Sequence, residues 1–283
     1  MTASLNPYIS LFGEEFDAEK SSQYRMTIQY ALGGLSYALL DEETHTLVAL
    51  ECFQSNLLAD SDDLSRTLER ALESKGLNNT TFRSVTCIVD NSICALVPQP
   101  LFNEVDQAKY LDFAFQVPAD YAIAYEPLAA MPSFNVFAQS KALQDKFLNK
   151  WKDAQFTHSS TVFINSVMES DTETGIFVLV RNRDFDMVIK KEGNLFFFNN
   201  FKFNTKEDFA YFLLFAMEQN GFSGHDIPVA FSGLIRPASE IIDLCGRYIK
   251  DIRFVADPHV LKVSRALDEV PFQYYHIHYQ ALR

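Results

Sequence analysis

Several groups of side chains in this sequence have types and spacings that could do chemistry. In Tyr30-Ala31-Leu32-Gly33-Gly34-Leu35-Ser36, the paired glycines and the serine could bring backbone N–H groups and a hydroxyl against phosphate oxygens; equally, they could form only a tight turn between two strands. Arg181 and Arg183, followed by Asp184, offer guanidinium donors to an anion, although arginines at a strand end also pair with neighbouring carboxylates. Ser232-Gly233 follows an apolar run, where a single glycine permits a close backbone approach. His276-x-His278 would place two imidazoles on one face of an extended segment, a zinc spacing that still needs a third ligand. None stands nearby, so an exposed or hydrogen-bonded aromatic strand over 272–279 is the simpler expectation. His158-Ser159-Ser160 sets a base beside two hydroxyls, but adjacent residues do not make a nucleophile–base geometry and no G-x-S-x-G elbow exists. Ser159 or Ser160 is expected to cap a short helix ending at Glu169, with His158 packed in the interdomain crossover. Asp60, Asp62 and Asp63 lack the glycine and distal glutamate of a calcium loop and suit a helix start. No catalytic set and no metal-ligand set follows from these groups.

The elements that must position them repeat. Apolar residues alternate at Met26, Ile28, Tyr30 and Leu32, resume after Gly33-Gly34 at Leu35, Tyr37 and Leu39, and a third strand runs from Thr46 to Phe53. Leu64, Leu68, Ala71 and Leu72 then share a helical face, Gly76 stops that helix, and Ser84–Val89 returns as a buried strand. Strand starts at Met26, Leu35 and Thr46 recur 149 residues later at Gly175, Asp184 and Leu195. A helix follows again, with Asn204 expected as N-cap, Glu207 as its capping-box partner and Gly221 as stop. Ile227–Phe231 then corresponds to Ser84–Val89. The aromatic run at Phe196, Phe197, Phe198, Phe201 and Phe203 exceeds one inward strand face; burial inside the molecule is expected because both faces of such a sheet are covered.

Three antiparallel strands, a helix and a further strand form the ribonuclease-H-like βββαβα unit. Two in tandem give a mixed α/β architecture of the actin and sugar-kinase kind, in which nucleotide lies in the cleft between the halves; the alternative is two unrelated α+β domains sharing an order of elements. The domains are expected at 1–160 and 161–283, after a helix over 140–152 and with the polar run 166–173 as crossover.

Composition narrows the roles. A formal net charge of −13 disfavours nucleic acid and anionic membrane surfaces as partners. The four cysteines form no C-x-x-C pair and sit in apolar runs, which suits a reducing cytoplasmic compartment. No leader pattern and no apolar stretch of about 20 residues is present, so direct membrane insertion is not expected.

The phrases ALGGLSYALLDEE, LVPQPLF (96–102), THSS (157–160) and NLFFFNNFKFNTKEDFAYFLLF (194–215) carry a resemblance to an uncharacterised bacterial family, one of the domains of unknown function, with an actin-like ATPase fold. The chain is also distantly similar to actin-like cytoplasmic components of type IV pilus and type II secretion machines. The resemblance implies three phosphate and nucleotide positions: a D-x-G-[ST] turn in the first hairpin, a matching acidic-glycine turn in the second, and a glycine turn after the late strand of the second half. Here the first keeps Gly33, Gly34 and Ser36 but has no carboxylate. The second, Val180-Arg181-Asn182-Arg183-Asp184, has no glycine, and the third is Ser232-Gly233. The expectation is a degenerate nucleotide site on a protein that binds another protein as scaffold or regulator, without a cofactor. The alternative is an ATP- and magnesium-dependent phosphotransferase or ATPase whose lost carboxylate is replaced by Asp90, Asp184 or Asp186.

Overall fold

The computed structural model describes residues 5–256, 262–267 and 270–283; the first four residues of the N-terminal segment lie outside this range. The chain divides into two compact units, Met1–Thr161 with Pro258–Val270 and Ala281–Arg283, and Val162–Asp257 with Pro271–Gln280.

In unit 1, strands β1 (Ile9–Phe12), β2 (Tyr24–Ala31), β3 (Gly34–Asp41) and β4 (Thr46–Gln54) precede helix α1 (Ser61–Ser74) and strand β5 (Ser84–Val89). There follow β6 (Cys94–Pro98), α2 (Gln107–Asp112), β7 (Tyr121–Pro127), β8 (Ser133–Ser140), α3 (Lys141–Lys150) and β9 (Gln155–His158). The main sheet has the order β1-β4-β3-β2-β5-β9, antiparallel from β1 through β2 and parallel from β2 through β9. Its central strands are buried on both faces, and β4 is buried at every position from Thr46 to Phe53 instead of alternating. A late strand, Lys262–Val263, adds to β4 in parallel. The segment between β5 and α3 forms a separate three-stranded sheet, β6-β8-β7, with α2 against it around Val97, Leu111, Val136 and Ala138.

Helix α4 (Ser159–Glu169) spans the division and ends at Glu169, as the sequence suggested, within the polar run 166–173. In unit 2, β10 (Gly175–Val180), β11 (Asp184–Lys191), β12 (Asn194–Lys202), α5 (Lys206–Gln219), β13 (Val229–Gly233), α6 (Glu240–Cys245), β14 (Ile252–Phe254) and α7 (His276–Leu282) follow. The sheet order β12-β11-β10-β13-β14, antiparallel in its first three strands and parallel in its last three, repeats that of β4-β3-β2-β5-β9. The helices α1 and α5 also end alike. Leu77 N–H donates to Leu72 O at 2.8 Å over Gly76 at φ +73°, and Phe222 N–H to Met217 O at 2.9 Å over Gly221 at φ +81°.

Three local expectations are corrected. The N-cap of α5 is Thr205, not Asn204: Thr205 Oγ1 accepts from Asp208 N–H, and the Asp208 carboxylate accepts from the amides of Asn204 and Thr205, so Asp208 takes the role expected of Glu207. At the start of α4, Ser160 N–H donates to the Nδ1 of buried His158 at 3.2 Å, so the imidazole and not a serine faces that amide. At the other end of α4, the buried Lys190 Nζ donates to the carbonyls of Val167, Met168 and Ser170, a cation at a helix C-terminus. The third correction concerns residues 272–279, which form a 3₁₀ turn and then α7 rather than a strand. Two residues apart on a helix point about 200° apart, so His276 and His278 share no face for a metal. Of the aromatic run, Phe197, Phe201 and Phe203 pack against the core of unit 2, whereas Phe196 on the edge strand β12 is 50% exposed and meets Phe222 edge-on.

Candidate functional site

The first hairpin closes with Leu32-Gly33 as its two-residue loop, and Gly34 is already the first residue of β3, opposite Ala31. Only Gly33 has positive φ, +85°, so the second glycine is not needed for the turn's conformation. The loop's polar backbone is engaged within unit 1. Gly33 N–H donates to Leu58 O at 2.8 Å, and Gly33 O accepts from Ser55 N–H at 3.0 Å. An amide that binds phosphate must point at the ligand with its hydrogen available. The amide of Gly33 instead ties the turn to the loop between β4 and α1. Ser36 sits within the strand ladder, opposite Gln29 and Cys52.

In unit 2 the second turn places Arg181 and Asp184 together, but as partners. Arg181 forms a forked ion pair with Asp186, Nη2 to Oδ2 at 2.7 Å and Nη1 to Oδ1 at 3.0 Å, and its Nη1 also reaches Asp184 Oδ1 at 3.0 Å. Asn200 Nδ2 donates to the same oxygens of Asp184 and Asp186 at 3.2 and 2.9 Å. Asp186 has no exposure and Arg181 only 8%, so the pair is a desolvated fork–fork contact rather than a free anion clamp. Arg183 lies exposed one position before β11, its carbonyl accepting from Phe203 N–H. Asp90, the remaining replacement carboxylate, accepts from Gln29 Nε2 at 2.9 Å.

The third turn is packed against the second. Gly233 is opposite Val180 in the parallel β10–β13 pair, and Leu234 N–H donates to Val180 O at 2.8 Å. A Cβ at Gly233 would lie 2.2 Å from Val180 O, and φ there is +84°. The glycine is therefore required by a neighbouring strand. Ser232 Oγ meets His276 Nδ1 at 2.8 Å, and the imidazole of His276, wholly desolvated, is pushed down to about 4 by burial. A hydroxyl and an imidazole at this distance are the atoms of a nucleophile and its base, but Ser232 has no exposure. The contact instead ties α7 to the end of β13.

Of the residues singled out from sequence, Arg181, Asp184, Ser232 and Gly233 gather at the adjoining ends of β10, β11 and β13 in unit 2, while Gly33, Gly34 and Ser36 belong to unit 1. Asp60 caps α1 through the amides of Asp62 and Asp63; Asp62 pairs with Lys146 at 3.0 Å and Asp63 with Arg66 at 2.7 Å. The partners Leu58 and Asn200 had no signal in sequence, and His276, singled out there for a metal, is brought to Ser232 by tertiary structure.

Two βββαβ units with this strand order and these turns define an actin-like ATPase fold. A protein from Bacteroides thetaiotaomicron VPI-5482, with that fold and unknown function, superposes with a TM-score of 0.74 at 17% identity, covering 85% of this chain and 93% of its own. The chain belongs to a family of proteins of unknown function, DUF3822, whose model matches residues 13–252. It is also similar to a structure of the PilM–PilN type IV pilus biogenesis complex, with a TM-score of 0.59 at 10% identity over 90% of this chain and 96% of that one. The cytoplasmic domain of EpsL, an inner membrane component of the Vibrio cholerae type II secretion system, matches over 92% of this chain and 94% of its own at 14% identity and a TM-score of 0.46. No curated protein matches the chain. Among the described residues no helix is long and apolar enough to cross a membrane.

Proposed function

We propose that this protein keeps the actin-like fold as a binding scaffold in the cytoplasm, without nucleotide turnover and without a nucleotide cofactor, and that its ligand is another protein. The observation that carries this reading is the Gly33 amide, held by Leu58 O at 2.8 Å in the turn to which the resemblance assigns phosphate binding. The ion-paired Arg181 and the buried Ser232 support it from the other two turns. An ATPase rebuilt on Asp186 would have to break that ion pair to free its carboxylate for magnesium, leaving a guanidinium desolvated, and Asp184 already accepts from Arg181 and Asn200. A fold relative solved as the PilM–PilN complex gives a precedent for partner binding. Calorimetric titration with Mg-ATP, Mg-GTP and their diphosphates tests the proposal. The expected result is no heat of binding up to millimolar nucleotide; magnesium-dependent binding below about 1 mM, worth some 4 kcal/mol, overturns it.

A further inference from the structure

Strand β12 ends its sheet, and unit 1 shows what the same position holds when it is filled. β4 and β12 each carry one extra residue against the preceding strand: Val48 between the partners of Leu39 and Leu40, and Phe196 between the partners of Ile189 and Lys190. Aligned on that bulge, Leu50 corresponds to Phe198 and Cys52 to Asn200. In unit 1 this edge is closed by β1, antiparallel over Ala49–Cys52, with Tyr8 N–H donating to Cys52 O at 2.9 Å and Gly13 N–H to Val48 O at 2.8 Å; Lys262–Val263 closes it before the bulge. In unit 2 no strand among the described residues lies beyond β12. Phe203 N–H donates to Arg183 O, so by alternation the N–H and C=O groups of Phe198, Asn200 and Lys202 turn away from β11. Asn200 N–H is met by Oδ1 of the exposed Asn199 at 2.9 Å, from its own strand.

This edge lacks the devices that keep edges apart. From Asn194 to Lys202 the single charge is Lys202 and there is no proline, and the bulge does not block pairing, since β4 is paired across the same bulge. Helix α5 adds a second observation. α1 and α5 correspond at an offset of 145, Ser61 to Lys206 and Gly76 to Gly221. Arg66, Thr67 and Arg70 of α1 line one cavity together with residues 5–7, the chain that leads into β1. Their counterparts on α5 are Tyr211, Phe212 and Phe215. Phe212 stacks on Phe201 of β12 and Tyr211 on Phe215, each pair with ring centroids 5.8 Å apart, and Tyr211 and Phe215 are 60% and 45% exposed. The helix flank that is polar where unit 1 adds its strand is aromatic and open in unit 2.

We infer that this face binds a second copy of the chain, β12 pairing antiparallel with β12 of that copy about a two-fold axis near Asn199 and perpendicular to the sheet. Such an axis keeps both α5 helices on one side of the joined sheet. Open edge then meets open edge, and the Tyr211–Phe215 strip meets its own copy, the self-complementarity that an isologous contact requires. No acidic residue lies between Asn194 and Lys206, so the net charge of −13 is not concentrated at the contact. A strand of nine residues is about 30 Å long and strand plus helix about 20 Å deep, which gives roughly 600 Å² per copy, at the lower bound of stable interfaces, and a micromolar Kd. The inference is independent of the nucleotide turns and of the protein ligand proposed above.

Sedimentation equilibrium of the full chain from about 1 to 200 µM tests it, with a dimer expected at a Kd between about 1 and 100 µM. Tyr211→Glu with Phe215→Glu, both at exposed positions, is expected to raise that Kd at least ten-fold while the thermal unfolding transition is kept. Phe198→Pro is expected to do the same, because the amide it removes points away from β11. In the wild type, amide exchange over residues 198–202 is expected to slow at the higher concentration, a readout that needs no variant. A chain monomeric throughout, a dimer undiminished in either variant, or a dimer whose β12 exchange does not change with concentration overturns the inference.

Discussion

At the scale of single residues, His276 shows how a side chain with catalytic chemistry can be set to structural use. Burial holds it neutral, with its pKa near 4 against about 6.5 in the unfolded chain, while its Nδ1 meets Ser232. Between those two values the unfolded state binds a proton that the native state does not, so stability falls as pH drops from about 6.5 towards 4. The full effect is on the order of 3 kcal/mol, present above pH 6.5 and lost by pH 4. Urea denaturation at pH 7.0, 5.5 and 4.5 reads it as the difference between the wild type and His276→Asn, since all other titrating groups are common to both. The wild type should lose stability more steeply over that interval. Parallel curves would remove His276 as the source.

At the scale of elements, the two glycine turns separate by what surrounds them. A Cβ at Gly233 would meet Val180 O at 2.2 Å, whereas at Gly33 the nearest atom is Ser55 O at 3.8 Å, and φ is close to +85° at both. Gly33→Ala should therefore lose only the left-handed backbone cost, about 1–2 kcal/mol. Gly233→Ala adds a backbone clash between β10 and β13, so its loss should exceed that of Gly33→Ala by at least about 1 kcal/mol in chemical denaturation. Equal losses would mean that strand separation at Val180 relaxes freely. This contrast also marks what the sequence made legible. Strand alternation, helix faces and the glycine stops at Gly76 and Gly221 are local signals, and the elements form where they predict. The β6-β8-β7 sheet and β9 carry no such signal, because a strand such as Tyr121–Pro127 is half-buried from Tyr121 to Glu126 and shows no alternation between a buried and an exposed face. The candidate site divides in the same way. The missing carboxylate before Gly33 is visible in the sequence, but Leu58 as acceptor for its amide depends on how the loop after β4 folds back. The α7 helix was misread for a related reason: an aromatic, alternating segment resembles a strand until its burial on all sides is known.

At the scale of the whole molecule, the C-terminal stretch serves both units, which sets how they must fold. Lys262 N–H donates to His45 O at 3.0 Å and Ser264 N–H to Leu47 O at 3.1 Å, extending the sheet of unit 1, where Leu267 is fully buried. Further on, Phe272, Tyr275, Ile277 and Tyr279 are buried, and His276 holds β13 in unit 2. Each such apolar side chain contributes about 1.5–3 kcal/mol relative to exposure. Neither unit is complete until residues 262–282 have been made, so the first cannot mature fully while the second is still being synthesised. Removal of residues 257–283 is therefore expected to raise amide hydrogen exchange both in β3 and β4 and in β10 and β13, not in one unit alone. Exchange measured by mass spectrometry on the full and shortened chains decides the matter. Loss of protection confined to unit 2 would show that the Lys262–Val263 strand adds nothing to unit 1, whereas loss in both identifies the C-terminal stretch as a structural element common to the two units.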